Sequence, residues 1–278
     1  MSKFQAFLAS TGGDIWRPKG VKCVFPPWPF EPYLYPKHGM ETNGLDYRCF
    51  TKLLEPGDMF ASYDKDFPLS NRNIKATVFK HAAVYTGAIK GVFDYNEGMF
   101  SKIKSMGVDY EHTGKSEVGV FERTVTHAIS EGVVVQDLFD FMKQCDKICV
   151  FRPHTTTEQQ TAIVNAALDN VGLEYNFDFQ PTSNLKHFYC TELAQYALKK
   201  AGIKEVEKTM INTSWKGLVC FWNKKKYMAP VTLADDLVAA FPMVCCTVSC
   251  DEPKFWRGSR KADTLRKKIQ DAPDAQTM

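Results

Sequence analysis

The stretch HFYCTELAQYALKKAG, His187 to Gly202, places a cysteine at the head of an amphipathic segment. Leu193, Ala194, Ala197, Leu198 and Ala201 fall on one face. Lys199 and Lys200 occupy the last turn, where they suit the helix dipole, and Gly202 is a stop signal. The spacing predicts a helix that starts near Cys190. A thiol in that place feels the positive end of the dipole, which favours the thiolate. The first backbone N–H groups of the helix are free to meet a developing oxyanion. The chemistry on offer is nucleophilic attack on a carbonyl. The same spacing also fits an ordinary buried cysteine in a helix.

A nucleophilic cysteine needs a base, and the base needs a group that orients it. The chain has six histidines. His38 falls in a proline-rich segment and His112 in a loop. His154 follows Arg152 and Pro153 ahead of a helix, which suits capping or exposure. His187 precedes Cys190 too closely to be its partner along an extended lead-in. His81 and His127 remain, and both fall on strand-like segments, which are rigid supports.

The nine cysteines are odd in number, and the N-terminus lacks the apolar core of a signal peptide, so a disulfide framework is not expected. Cys145 and Cys149, and the run CCTVSC from Cys245 to Cys250, lack the paired knuckles of a zinc site and sit among β-branched residues. They read as core cysteines. Composition is that of a globular chain: 44% hydrophobic, 24% charged, net charge +3. A charge this mild does not call for nucleic acid, and NKKKY and SRKADTLRKK read as solvated basic runs. No segment reaches the roughly 20 apolar residues of a membrane span. The chain is expected to be made in the cytoplasm.

The elements that must carry these residues are legible in outline. VFPPWPFEPYLYPKHG holds five prolines among aromatics, which excludes a long helix or a central strand. Residues 1–54 are read as an irregular arm that straps a domain or docks a protein partner. Pro56-Gly57 is a turn leading into a strand over 58–63. Val78 to Gly87 and Gly91 to Tyr95 are strand-like with a turn between them, and Val118 to Ala128 is another strand. VVQDLFDFMKQC has helical spacing at Leu138, Phe141 and Met142. KICVFRP is a buried strand. Thr156 or Thr157 with Gln159 or Gln160 opens a helix in capping-box fashion, with Ile163, Ala166 and Ala167 as its stripe and Gly172 at its end. PVTLADDLVAAF is a short helix and PMVCCTVSC a final strand. The fold class is α+β, an antiparallel sheet or open barrel packed with helices. Residues 55–250 form the domain, and 251–278 a charged tail that is mobile at its end.

The order of motifs carries more than any one of them. PGDMF at Pro56 to Phe60, KHAAVYTG at Lys80 to Gly87, VTHAISEGVVVQDL at Val125 to Leu138, VGLEYNFDF at Val171 to Phe179 and YCTELAQYALKKAG follow one another. This sequence resembles the circularly permuted branch of the NlpC/p60-type papain-like cysteine hydrolases, the YiiX-like proteins, which have phage and viral relatives. YMAPVTLADDL is similar to the family's proline-led helix before a last strand. The resemblance implies a permuted papain-like fold with Cys190 as nucleophile, His81 as general base and His127 in the third, orienting position, where many permuted members have Glu. Glu122 is a substitute on the same strand, but its odd offset sets it on the opposite face. Tyr189 would add an oxyanion contact beside the Cys190 backbone N–H. The implied reaction is hydrolysis of an amide or peptide bond, a bacterial cell-wall peptide among the candidates, through an acyl-thioester, with no metal or organic cofactor. Two alternatives stand beside it: a structural or docking protein, for example virion-associated, that keeps the scaffold; and an acyl transferase or esterase. Whether CFWNKKKYMAP, Cys220 to Pro230, is a lid or a packed hairpin is open at this stage.

Overall fold

The computed structural model of the chain describes residues 42, 44–64, 77–94, 116–129, 132–176, 186–213, 227–247 and 261–271. Its centre is a six-stranded antiparallel sheet. The strands are β1 (Met59–Tyr63), β2 (His81–Asp94), β3 (Ser116–Ile129), β4 (Gly132–Asp137), β5 (Lys147–Phe151) and β10 (Met243–Cys246), in the order β10-β5-β1-β2-β3-β4. The sheet is open, and the mixed α+β class expected from the sequence holds.

Alternation along the strands builds a core on each face. Met59, Ala61, Ala82, Val84, Cys149 and Phe151 face one way. They pack against α3 (Thr157–Leu168), α4 (Cys190–Lys200), α5 (Ala234–Ala240) and α6 (Ala262–Asp271). Phe60, Ala83, Tyr85, Val125, Ile148 and Val150 face the other way. They meet α1 (Gly44–Leu53) through Phe50, and α2 (Leu138–Met142) through Leu138, Phe141 and Met142. Two short pairings complete the fold: β6 (Glu174–Tyr175) with β7 (His187–Phe188), and β8 (Thr209–Thr213) with β9 (Tyr227–Val231).

Helices α3 and α4 arise where the spacing places them, whereas the helix expected from Pro230 begins only at Ala234, because Pro230 and Val231 pair in β9 with Met210 and Thr209. The capping box of α3 forms between Thr156 and Gln159. Elsewhere the structure corrects the sequence reading. The two strand-like pieces expected over 78–95 are one strand, β2, and the supposed turn is a bulge. Gly87 has φ +71°, and a Cβ there would lie 2.9 Å from the Pro56 ring. The helix expected from VVQDLFDFMKQC begins only at Leu138; Gly132–Asp137 is β4, paired with β3. Asp137 marks the switch by accepting the N–H of Phe139 at 2.8 Å.

Both chain ends also differ. Residues 44–53 form α1 rather than irregular arm, with Phe50 fully buried. Within the expected tail lies α6, which buries Leu265 and sends the Lys268 ammonium to the carbonyls of Val238, Ala239 and Phe241 at the end of α5. That cation completes a helix C-terminus whose carbonyls have no helical partners. The proline-rich part of the arm, the polar residues 65–76 and residues 220–226 of the Cys220–Pro230 segment lie outside the described residues. The flanks of that stretch pair as β8 and β9.

Gly132 shows how tightly this framework is joined. Its φ is +116°, and a Cβ there would collide with the Leu173 carbonyl. The neighbouring Val133 and Gly172 exchange backbone hydrogen bonds with the same loop, Val133 N to Leu173 O and Gly172 N to Val133 O, each at 2.8 Å. Gly132→Ala is therefore expected to cost more than about 1 kcal/mol, read as a lowered denaturant midpoint with an unchanged slope.

Candidate active site

His81 is the first residue of β2, and His127 lies near the end of β3, where it stands beside Ala83 in the register. Both side chains fall on the α2 face of the sheet. His81 Nε2 and His127 Nδ1 share a hydrogen bond of 2.9 Å. The Phe141 ring packs against both imidazoles, with centroids 6.3 Å from His81 and 5.4 Å from His127. His81 is half-buried, and the partial loss of water lowers its pKa to about 4. Nδ1 of His81 has no hydrogen-bond partner among the described residues. If that nitrogen is to accept a proton, Nε2 must carry the other one and donate it to His127.

Cys190 opens α4, and its side chain is buried. The thiol donates to the Lys80 carbonyl at 3.9 Å. The main-chain N–H groups of Ala82, Thr191 and Cys190 itself face the sulfur. Cys190 thus lies against the backbone on both sides of His81. Thiol and imidazole do not hydrogen-bond to each other in this conformation. The sequence reading expects the helix head to favour the thiolate. The N–H groups do act in that direction, but burial outweighs them and pushes the thiol up to about 11. The resting site holds a neutral thiol and a neutral imidazole.

The helix head is fixed from several sides. Glu192 accepts the Tyr189 N–H at 3.4 Å and the Asn176 side-chain amide at 3.1 Å. Thr191 donates its hydroxyl to the Thr232 carbonyl. Tyr189 is buried with Val231 and Leu233, and the Thr232 N–H faces its phenol oxygen. On the other side, the buried Asp235 carboxylate accepts the N–H groups of Val78 and Phe79, each at 2.8 Å. These two residues lead directly into Lys80 and His81. Burial also lowers the Lys80 ammonium to about 8, with Asp235 opposing the shift.

The remaining candidates sort cleanly. Glu122 is exposed, with 80% of its side chain open to solvent, and does not face His127. His154 is exposed, and His187 lies 3.3 Å from Glu174. His38 and His112 lie outside the described residues. Tyr175 is the site neighbour to which the sequence reading gives no role. It pairs with Phe188, two residues before Cys190, and its phenol is raised by burial and by the nearby Cys190, Tyr189 and Glu192. The signal was the tyrosine of VGLEY. Asp235 and Thr232 carried none beyond their place near a short helix. Among the described residues no group of three or more His, Cys, Asp or Glu could hold a metal ion, and no helix is long and apolar enough to cross a membrane.

An open antiparallel sheet carrying two bonded histidines, with a cysteine-headed helix against the same strand, is an arrangement suited to a papain-like cysteine hydrolase. The family model described as "permuted papain-like amidase enzyme, YaeF/YiiX, C92 family" matches residues 54–228, and the chain belongs to that family. It is a cysteine-type hydrolase by that membership. Among solved structures, the chain is similar to the metalloprotein YiiX of Escherichia coli O157:H7, with 16% identity and a TM-score of 0.38, over 57% of this chain and 72% of that one. No curated protein matches the chain.

Two outcomes follow from the geometry. An imidazole in the unfolded chain titrates near 6.5, whereas folded His81 titrates at about 4. Between these values the unfolded chain binds the proton more tightly, so stability rises with pH across the window. The His81 contribution is complete above about pH 6.5 and is lost as pH falls toward 4. Thermal melts across this range should show the slope in the wild type and a flatter profile in His81→Phe. Asp235→Asn, which turns one acceptor oxygen into an N–H donor and takes the charge from the other, should cost about 2 kcal/mol in urea unfolding.

Proposed function

We propose that this protein hydrolyses an amide bond with Cys190 as nucleophile, His81 as general base and acid, and His127 as the group that orients the His81 ring. The observation that carries the reading is the contact of the Cys190 thiol with the main chain flanking His81, whose Nε2 is already bonded to His127. In this reading the thiol and Nδ1 meet once substrate is bound.

Because both groups rest neutral, the proton moves as the bond forms. Sγ attacks the carbonyl carbon while His81 Nδ1 takes the thiol proton. Negative charge on the carbonyl oxygen is met by the N–H groups at the head of α4, those of Cys190 and Thr191. The imidazolium then protonates the leaving nitrogen, and an acyl-thioester remains. Water gives its proton to His81, attacks the thioester and releases the acid and the free thiol. His127 accepts from Nε2 throughout and keeps the ring in the required tautomer. In this reading Tyr189 serves by packing the helix head, because its phenol oxygen is directed at Thr232.

The substrate is a peptide or another amide. A panel of peptide and aminoacyl amides, followed by mass spectrometry of the full chain, tests for turnover and for an acyl adduct on Cys190. Cys190→Ala should abolish both. His81→Ala should lower kcat by roughly 10²–10⁴-fold. The acid limb of kcat/KM should track His81 near 4 rather than the ordinary imidazole value. Without substrate, alkylation of Cys190 should be slow at neutral pH and climb toward the thiol's value of about 11. Turnover that survives in Cys190→Ala would sink the assignment.

A further inference from the structure

Strand β10 runs along one edge of the sheet, antiparallel to β5, and the register sets Cys246 opposite Cys149. One step further on, the Thr247 N–H donates to the Ile148 carbonyl at 2.8 Å. The Ile148 N–H returns to the Thr247 hydroxyl at 2.9 Å, and alternation from this bonded position makes Cys246 and Cys149 a non-hydrogen-bonded pair. In such pairs the Cα atoms approach to about 4.5 Å and the side chains are closest. This separation lies at the short end of the roughly 4.4–6.8 Å range that a disulfide spans.

The two thiols already hydrogen-bond to each other. Cys149 is fully buried, whereas Cys246 is partly exposed. Both lie on the sheet face covered by α6. Cys245, the next residue, turns to the opposite face and packs with Phe60 and Val150. Neither member of the pair takes part in the proposed hydrolysis.

We propose that Cys149 and Cys246 form a reversible oxidation site, closed to a cross-strand disulfide by a peroxide. The accessible Cys246 sulfur attacks one peroxide oxygen, the O–O bond breaks, and water leaves with the thiol proton, giving a sulfenic acid. Cys149 sulfur then attacks the Cys246 sulfur. The S–OH bond breaks, the Cys149 proton joins the departing hydroxide, and a second water leaves. Two thiols are oxidised by two electrons and one peroxide is reduced to two waters. Burial raises the Cys149 thiol well above its ordinary range, with Lys268 opposing, so Cys149 is the resolving partner rather than the first target. A bridge at the short limit of Cα separation is strained, and strained bridges are the readily reduced ones.

The test treats the full chain with a slight excess of hydrogen peroxide, blocks free thiols and digests it with trypsin without reduction. The peptide that begins at Ile148 holds Cys149 as its sole cysteine, and the peptide from Tyr227 to Lys254 holds Cys245, Cys246 and Cys250. The expected result is a cross-link between them in the wild type and in Cys245→Ala. It should disappear in Cys246→Ser and be reversed by dithiothreitol, and the linked form should melt several degrees higher. Cys246→Ser replaces a partly exposed thiol by a hydroxyl, and circular dichroism checks its fold; Cys149→Ala is the second control. A cross-link that persists in Cys246→Ser would overturn the proposal. So would a wild-type Cys149 that is still fully alkylated on denaturation after the peroxide has been consumed.

Discussion

The arrangement of the site hangs on one buried carboxylate. Asp235 sits near the start of α5 and accepts the backbone N–H groups of Val78 and Phe79. Those groups precede the first residue of β2 and have lost water, so without an acceptor each would carry the cost of a buried, unmade hydrogen bond. Asp235 therefore fixes where β2 begins, and with it the position of His81. The segment just before α5 does the complementary work: Thr232 receives the Thr191 hydroxyl and presents its N–H to Tyr189. A single short stretch, Thr232 to Asp235, locates both the cysteine-headed helix and the histidine-bearing strand. A second buried anchor acts at the far end of β1. There the Asp58 carboxylate receives Arg152 Nε and Nη2 at 2.7 and 2.8 Å and the Glu55 N–H at 2.8 Å.

Electrostatics in the site are settled by a contest between burial and local dipoles. The head of α4 offers the cysteine two N–H groups, β2 adds that of Ala82, and a helix N-terminus in water would lower a thiol. Enclosure by the sheet and the segment around Thr232 wins instead, and both the thiol and the His81 imidazole rest uncharged. An enclosed neutral pair stores no ion pair in the absence of substrate. In the proposed reaction the thiol proton therefore leaves only as sulfur bonds to carbon. The Phe141 ring contributes from the opposite direction, because it packs on both imidazoles.

What the sequence determined by itself was set by local periodicity and local caps. The apolar stripe of Leu193, Ala194, Ala197 and Leu198, with lysines and glycine at its end, is sufficient to specify α4 and to put Cys190 at its head. Thr156 with Gln159 specifies the start of α3 for the same reason: the interacting groups are three residues apart. The alternation of strand residues also told which of Glu122 and His127 faces the core. Tertiary structure decided everything that depends on partners distant in the chain. The sequence ends one strand at Gly87 and puts a turn after it, but in the structure Gly87 lies against Pro56 at a bulge within one long strand. The polar sequences of α1 and α6 carry too little apolar surface to announce themselves, and each is held by a core it meets only after folding, through Phe50 and Leu265. The bond between His81 and His127 joins residues 46 apart, and the ionisation of Cys190 follows from burial beneath elements that no local pattern encodes. Residue types and periods named the candidates; long-range packing set their distances and charges, because both depend on which atoms replace water around them.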